Sequence, residues 1–270
     1  MLENKIFIKG DAIYYNRIGN YLSPQSIVFI HGASITGEQM QYLANLYKEY
    51  NCIVLDLPGH YRSKGKAEDS VENYANIIDE FIQDLINRKI LTNKVILLGF
   101  SMGGNISLEL AIKQKKYING LILCHTSSNW GIGKTLGYKF FLWLLKHNIY
   151  FLIYPFIKTV NIRTILNIKV LKLVLKPYFK RLVSKKTIYK DFLAVEKFNK
   201  EKLLYKVKVP TLIIQGNKDG LSRLEDNIVL SKKIRNSKLL ILNKRSHFGI
   251  LECKDYVCKN SKEYFADRLD

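Results

Sequence analysis

Val95-Ile-Leu-Leu-Gly-Phe-Ser-Met-Gly-Gly-Asn105 runs four apolar residues straight into a serine fenced by glycines, and a helix-like pattern follows it. A buried strand that must reverse into a helix within two or three residues needs a sharp turn. A serine at its tip is lifted clear of the sheet as a nucleophile. With 16 glycines in 270 residues, composition alone produces GxSxG in about one chain in twenty, so the motif must be judged by its neighbours.

Outward from this stretch, short apolar runs alternate with helix-length segments. Strands are predicted at 26–30, 51–55, 94–98, 118–124, 210–215 and 238–242, after an opening hairpin whose turn is Gly10-Asp11. Helical patterns fill 37–50, 71–88, 102–116, 223–235 and 254–268. Continuous apolar strands separated by helices imply an α/β fold, a mostly parallel sheet of about eight strands covered on both faces. From 126 to 204 the alternation stops and aromatic, lysine-studded helical segments take over. The expectation is a core of 1–125 and 205–270 with a helical lid inserted at 126–204, over the crevice where such sheets bind ligands.

Chemistry gathers at the C-terminal ends of parallel strands. SIVFI leads into His31-Gly32-Ala33-Ser34, NCIVL into Asp56 and His60, PTLIIQ into Asp219, and KLLIL into His247. A nucleophile, an acid and a histidine thus emerge at one edge in the order Ser, Asp, His. Each also has a plainer reading: Ser101 or Asp219 as a helix cap, His247 as a surface histidine. His125, at the end of its strand, reads as a pocket wall or as a satisfied interior histidine, and Asp56 as a loop anchor.

Together HGAS, LDLPGH, GFSMGG, VPTLIIQGNKD and SHFGILE resemble, in type, order and spacing, the signature segments of the α/β-hydrolase family. The resemblance implies Ser101 as nucleophile, Asp219 as acid and His247 as base. It also implies an oxyanion hole from the backbone amides of Ala33 and Met102, and His31 and His60 fit family positions that shape loops; His31, Ser34 and His125, beside the strand ends, are candidate pocket residues. Two departures stand out: Tyr61-Arg62-Ser63 replaces a small glycine-rich continuation, and no proline follows Asp219 closely.

A serine nucleophile implies acyl transfer to water. The expected activity is hydrolysis of a carboxylic ester with a lipophilic acyl group, because 138–157 is rich in large apolar residues. The alternatives are a thioesterase acting on acyl-carrier-protein or CoA thioesters, and a non-catalytic small-molecule binder on the same scaffold. No metal-ligand spacing and no dinucleotide fingerprint occurs, so neither metal nor cofactor is expected.

The net charge of +20 admits two accounts. Lysine outnumbers arginine 34 to 9, as A/T-rich coding would produce. Yet 126–204 holds 16 basic and 3 acidic residues, which suits peripheral contact with an anionic membrane or an acyl carrier protein through Lys169, Lys172 and Lys176. Charge alone, without a recognisable module, does not point to nucleic acid. The four cysteines form no CxxC pair and read as buried thiols. With no signal peptide at the start, a cytoplasmic protein is expected.

Overall fold

The structure, a computed structural model, describes residues 4–130, 136–147 and 168–268. Eight strands form one sheet: β1 (Asn4–Ile8), β2 (Asp11–Gly19), β3 (Ser26–Ile30), β4 (Asn51–Leu55), β5 (Val95–Phe100), β6 (Ile118–Cys124), β7 (Thr211–Gly216) and β8 (Ser237–Leu242). They lie in the order β1-β2-β4-β3-β5-β6-β7-β8. The β1–β2 hairpin joins β4 antiparallel, and every other pairing is parallel.

The central strands are mostly apolar because both faces are covered. Val28 and Ile30 of β3 join one core and Ile27 and Phe29 the other; in β4, Ile53 and Leu55 face opposite to Cys52 and Val54. Two-residue side-chain alternation thus splits one hydrophobic run between two cores. One core is closed by α2 (Val71–Asn87) and α3 (Met102–Ile112), the other by α1 (Gly37–Ala44) and, near the C-terminus, α9 (Lys254–Ala266). Between β6 and β7 lie α4 (Leu136–Lys146), α5 (Ile168–Phe179) and α6 (Lys185–Lys197); α7 (Leu224–Lys233) precedes β8, and the short α8 (Gly249–Glu252) precedes α9.

Two helices stop earlier than their periodicity predicts. After Ala44 the chain tightens into i→i+3 turns, which buries Tyr47 edge-on against Phe29 at 5.6 Å between ring centroids. Past Ile112, Gln114 takes a φ of 54° and the helix cannot continue.

The expected boundary at 125/126 cuts through continuous packing. Trp130, Ala194, Val195, Phe198 and Leu204 belong to the same core as the sheet. Asn105 Nδ2 donates to the Ser127 carbonyl at 2.5 Å, and Trp130 Nε1 donates to Asn105 Oδ1 at 2.9 Å. The inner stripe of α6 is Thr187, Asp191, Ala194 and Val195, an i, i+4, i+7, i+8 pattern with one carboxylate set into it. Residues 148–157 of the aromatic stretch and 163–167 of the basic one lie outside the described residues. No helix among the described residues is long and apolar enough to cross a membrane.

Candidate active site

β5 delivers Ser101 on a left-handed backbone, φ 54° and ψ −119°. Such a conformation costs a non-glycine residue about 1–3 kcal/mol and persists only where the surroundings over-determine it. Here they do. The Ser101 amide donates to the Cys124 carbonyl at 2.9 Å. The Ser101 carbonyl accepts from the Gly104 amide and from Thr126 Oγ1, each at 2.9 Å. Gly103 must be glycine, since a Cβ there would run into the Ile30 carbonyl oxygen. Ser101 stands at the N-cap of α3 but makes no side-chain cap bond to it, so its hydroxyl is not spent on capping. The amides of Ala33 and Met102 donate to no acceptor among the described residues.

Asp219 follows β7 and is held from every side. Its Oδ1 accepts the Leu221 and Ser222 amides at 2.8 and 3.2 Å. Its Oδ2 faces Nδ1 of His247 and Nδ1 of His125, both at 2.9 Å, and accepts from Ser222 Oγ at 2.8 Å and Gln215 Nε2 at 3.2 Å. The absence of a following proline now has a reason: a proline at 221 or 222 would delete one of these donors. Asp219 does not cap α7, whose N-cap is Arg223. Burial alone would raise the Asp219 pKa, but the charge and hydrogen bonds of His247 and His125 outweigh it and hold the carboxyl well below its ordinary range.

His247, 4% exposed, stands on the loop between β8 and α8. Its ring lies 5.1 Å from that of Phe100, the residue before Ser101, so strand order alone brings His247 and Ser101 to one edge. Ser101 Oγ and His247 form no hydrogen bond with each other here. In unliganded sites that contact is commonly long and tightens when substrate binds.

His125 is fully buried and spends Nδ1 on Asp219, while Nε2 has no partner among the described residues. Burial, more than its carboxylate neighbour offsets, lowers its pKa, so it acts as a neutral donor. The structure therefore puts it behind the acid, not on an open wall. His31 is likewise fully buried, with Nε2 accepting the Leu57 amide at 2.9 Å and Nδ1 on the Gly32 carbonyl at 2.8 Å. It clamps two strand-end loops together and has no nitrogen left for a ligand. Ser34 holds a φ of 62°; its amide donates to Asp191 Oδ2 at 2.9 Å, and its buried hydroxyl has no partner among the described residues.

Asp191 of α6 is the residue that sequence reading passed over. Fully buried, it receives the Ser34 amide, Tyr74 Oη at 2.8 Å and His60 Nε2 at 3.0 Å. Burial alone would lower the His60 pKa, but the Asp191 carboxylate reverses the balance and raises it. Asp56 anchors its loop as expected, accepting the Gly37 amide at 2.8 Å and Arg62 Nε at 2.7 Å. The bulky Tyr61-Arg62-Ser63 continuation thereby supplies that anchor's cation.

Ligand atoms of His125, Asp219 and His247 lie within 4.8 Å of one another, near enough for a metal. Both facing nitrogens, however, are already spent on one carboxylate oxygen, an arrangement that orients imidazoles for proton transfer.

A family model described as alpha/beta hydrolase fold matches residues 25–253, and the chain belongs to that family. Among curated proteins it is similar to Lipase 1 of Psychrobacter immobilis, 23% identical over 269 residues that cover 97% of this chain and 83% of the relative. Among solved structures it superposes on a bromoperoxidase from Bacillus anthracis, with a TM-score of 0.85, 21% identity and coverage of 98% and 100% of the two chains. It also superposes on a thermophilic esterase from Thermogutta terrifontis, with a TM-score of 0.81, 20% identity and full coverage of both. Neighbours with such different names share a scaffold, and activity must be argued from the site.

Proposed function

We propose that this chain hydrolyses carboxylic esters with a lipophilic acyl group through an acyl-enzyme on Ser101. The observation that carries the reading is His247 Nδ1 at 2.9 Å from Asp219 Oδ2, at the sheet edge where Ser101 stands on its strained turn. His247 Nε2 takes the Ser101 proton as Oγ bonds to the acyl carbon. The carbonyl π electrons move to oxygen, where the unengaged amides of Ala33 and Met102 meet the developing charge, each worth about 3–4 kcal/mol at a site of this type. Collapse breaks the carbon–oxygen bond, and His247 returns the proton to the departing alcohol. Water then repeats the sequence and frees the acid. Asp219 keeps the tautomer and stabilises the imidazolium. These steps use only side chains, amides and water.

We read α4 to α6 as a cap over this edge, supported by α6 reaching the Ser34 loop through Asp191. The apolar residues of α4, with Phe140 and Trp143 stacked at 5.9 Å, favour an acyl substrate. The test is labelling with a fluorophosphonate: one adduct on Ser101 is expected, and Ser101→Ala should fold normally yet lose activity by about 10³-fold or more. An adduct mapped to another residue overturns the assignment.

A further inference from the structure

A cavity of about 670 Å³ opens where the 59–67 loop faces the turn between α5 and α6. Arg62, Lys64, Lys66, Arg181, Lys186 and Lys190 line it, and no carboxylate does. Arg62 is paired with Asp56, and Lys190 Nζ donates to the Ala67 carbonyl at 2.5 Å. Lys64, Lys66, Arg181 and Lys186 have no carboxylate partner among the described residues. Elsewhere lysines of this chain do find acids: Lys9 with Glu80, Lys115 with Asp79, Lys200 with Glu72, Lys262 with Glu49. Uncompensated like charges around a concavity raise the local potential and draw in an anion. The first turn of α6 adds its positive end, since Ser184, Lys186 and Thr187 share the lining.

This cavity adjoins a second one that reaches Ser34. Arg181 and Ser184 also line a second space of about 350 Å³ bounded by Ser34, Pro177 and Val183. Ser34 adjoins Ala33, and its buried hydroxyl lacks a partner among the described residues, the mark of a polar atom placed for something else. The backbone between the two spaces is fixed. The Tyr61 amide donates to the Leu182 carbonyl, and the Leu182 amide to the Pro177 carbonyl, each at 2.9 Å.

We propose that the two spaces form one binding site for a phosphate-bearing ligand. A pyrophosphate-type group sits among Lys64, Lys66, Arg181 and Lys186, and an uncharged neck passes Ser34 toward Ala33. A lone carboxylate would need one arginine; four unpaired cations and a helix end suit a polyanion, and guanidinium and amide donors match phosphate oxygens. The volume is in the range of small-molecule sites and exceeds what one inorganic phosphate would fill. The inference rests on the ester-hydrolase reading, and it makes the leaving group a phosphorylated alcohol or thiol. The bond broken is its acyl carbon–oxygen or carbon–sulfur bond, and the proton it takes comes from His247.

Calorimetric titration with inorganic pyrophosphate tests the site directly. Wild type should bind, and Lys64→Gln/Lys66→Gln/Lys186→Gln, with an unchanged circular dichroism spectrum, should bind at least about tenfold more weakly, because three attractive charges are gone. Equal binding by the two, or none by wild type, overturns the site. The same acyl chain is then offered on coenzyme A and on N-acetylcysteamine, which lacks phosphates. Wild type should favour the former at least about tenfold in kcat/KM, and the triple variant should lose that preference. No preference in wild type overturns the leaving-group assignment. Binding to phosphatidate vesicles without binding to soluble pyrophosphate overturns it in favour of a lipid headgroup. If pyrophosphate binds wild type and not the variant while neither thioester nor any ester is cleaved, the site stands and the hydrolase reading falls.

Discussion

Replacing Asp191 by asparagine removes a buried charge that three parts of the molecule share. In the wild type its carboxylate receives a backbone amide from the Ser34 loop, a phenol from α2 and an imidazole from the 56–63 loop, all within 3.0 Å and none exposed. Deleting one partner of a buried ion pair typically costs 3–5 kcal/mol, because the other is left uncompensated. Asparagine keeps one acceptor oxygen but turns an NH2 toward a group that already donates, so the lower end, about 3 kcal/mol, is expected. At roughly 2–4 °C per kcal/mol in a chain of this size, Tm should drop by about 6–12 °C. The loss also carries a pH signature. The His60 pKa is raised in the folded state, chiefly by Asp191 working against burial. The pair's contribution is therefore fully present below the unfolded-state value near 6.5 and declines as pH rises through the folded one. Urea unfolding followed by circular dichroism should show a wider gap between wild type and Asp191→Asn at pH 5.5 than at pH 8.5. A gap under 1 kcal/mol at both, or a wider one at pH 8.5, would refute the reasoning. Because the Ser34 amide hangs on the same carboxylate, kcat should fall in the variant with little change in KM.

His125→Leu should lower kcat by about tenfold or more, since a donor worth 1.5–3 kcal/mol to a charged acceptor is lost from Asp219, and His125→Gln should recover part of it; identical rates in all three proteins would make His125 packing alone. Acid should weaken the fold through His31 and His125, whose folded pKa values are lowered mainly by burial. Below about pH 6.5 the unfolded chain takes protons that the folded one refuses, costing up to about 1.4 kcal/mol per pH unit for each, with His60 opposing; a urea midpoint that does not fall between pH 7 and 5 would count against this balance.

The strand-end chemistry was legible because it needs only local patterns: an apolar run, then a polar residue. That logic placed Ser101, Asp219 and His247 at the ends of β5, β7 and β8, and it bracketed every strand within about two residues. Asp191 was hidden because its partners lie far away, 157 residues from Ser34 and 131 from His60. In sequence it looks like one more charge on a lysine-rich helix. A signal existed, since Thr187, Asp191, Ala194 and Val195 share one helical stripe, and a carboxylate in an otherwise apolar stripe must be paired. Lys176 shows the converse. Grouped by spacing with Lys169 and Lys172 as a surface for anions, it instead pairs with Glu38 at 2.6 Å and fastens α5 to α1. Charge spacing describes a helix face, whereas availability depends on what packs against it.

Two buried aspartates behind these loops do different work because their donors differ. Burial raises the Asp56 pKa by more than Arg62 and the Gly37 amide lower it. Asp219 is equally enclosed, yet two imidazoles on one oxygen drive it below the ordinary range. On acidification, then, Asp56 protonates before Asp219. An anchor that loses its charge weakens its hold on Arg62 and on the Gly37 amide at the start of α1. Asp219 meanwhile keeps both imidazoles aligned. Acid should therefore loosen the loops anchored by Asp56 first, and the Asp219 carboxylate should be the later of the two to fail.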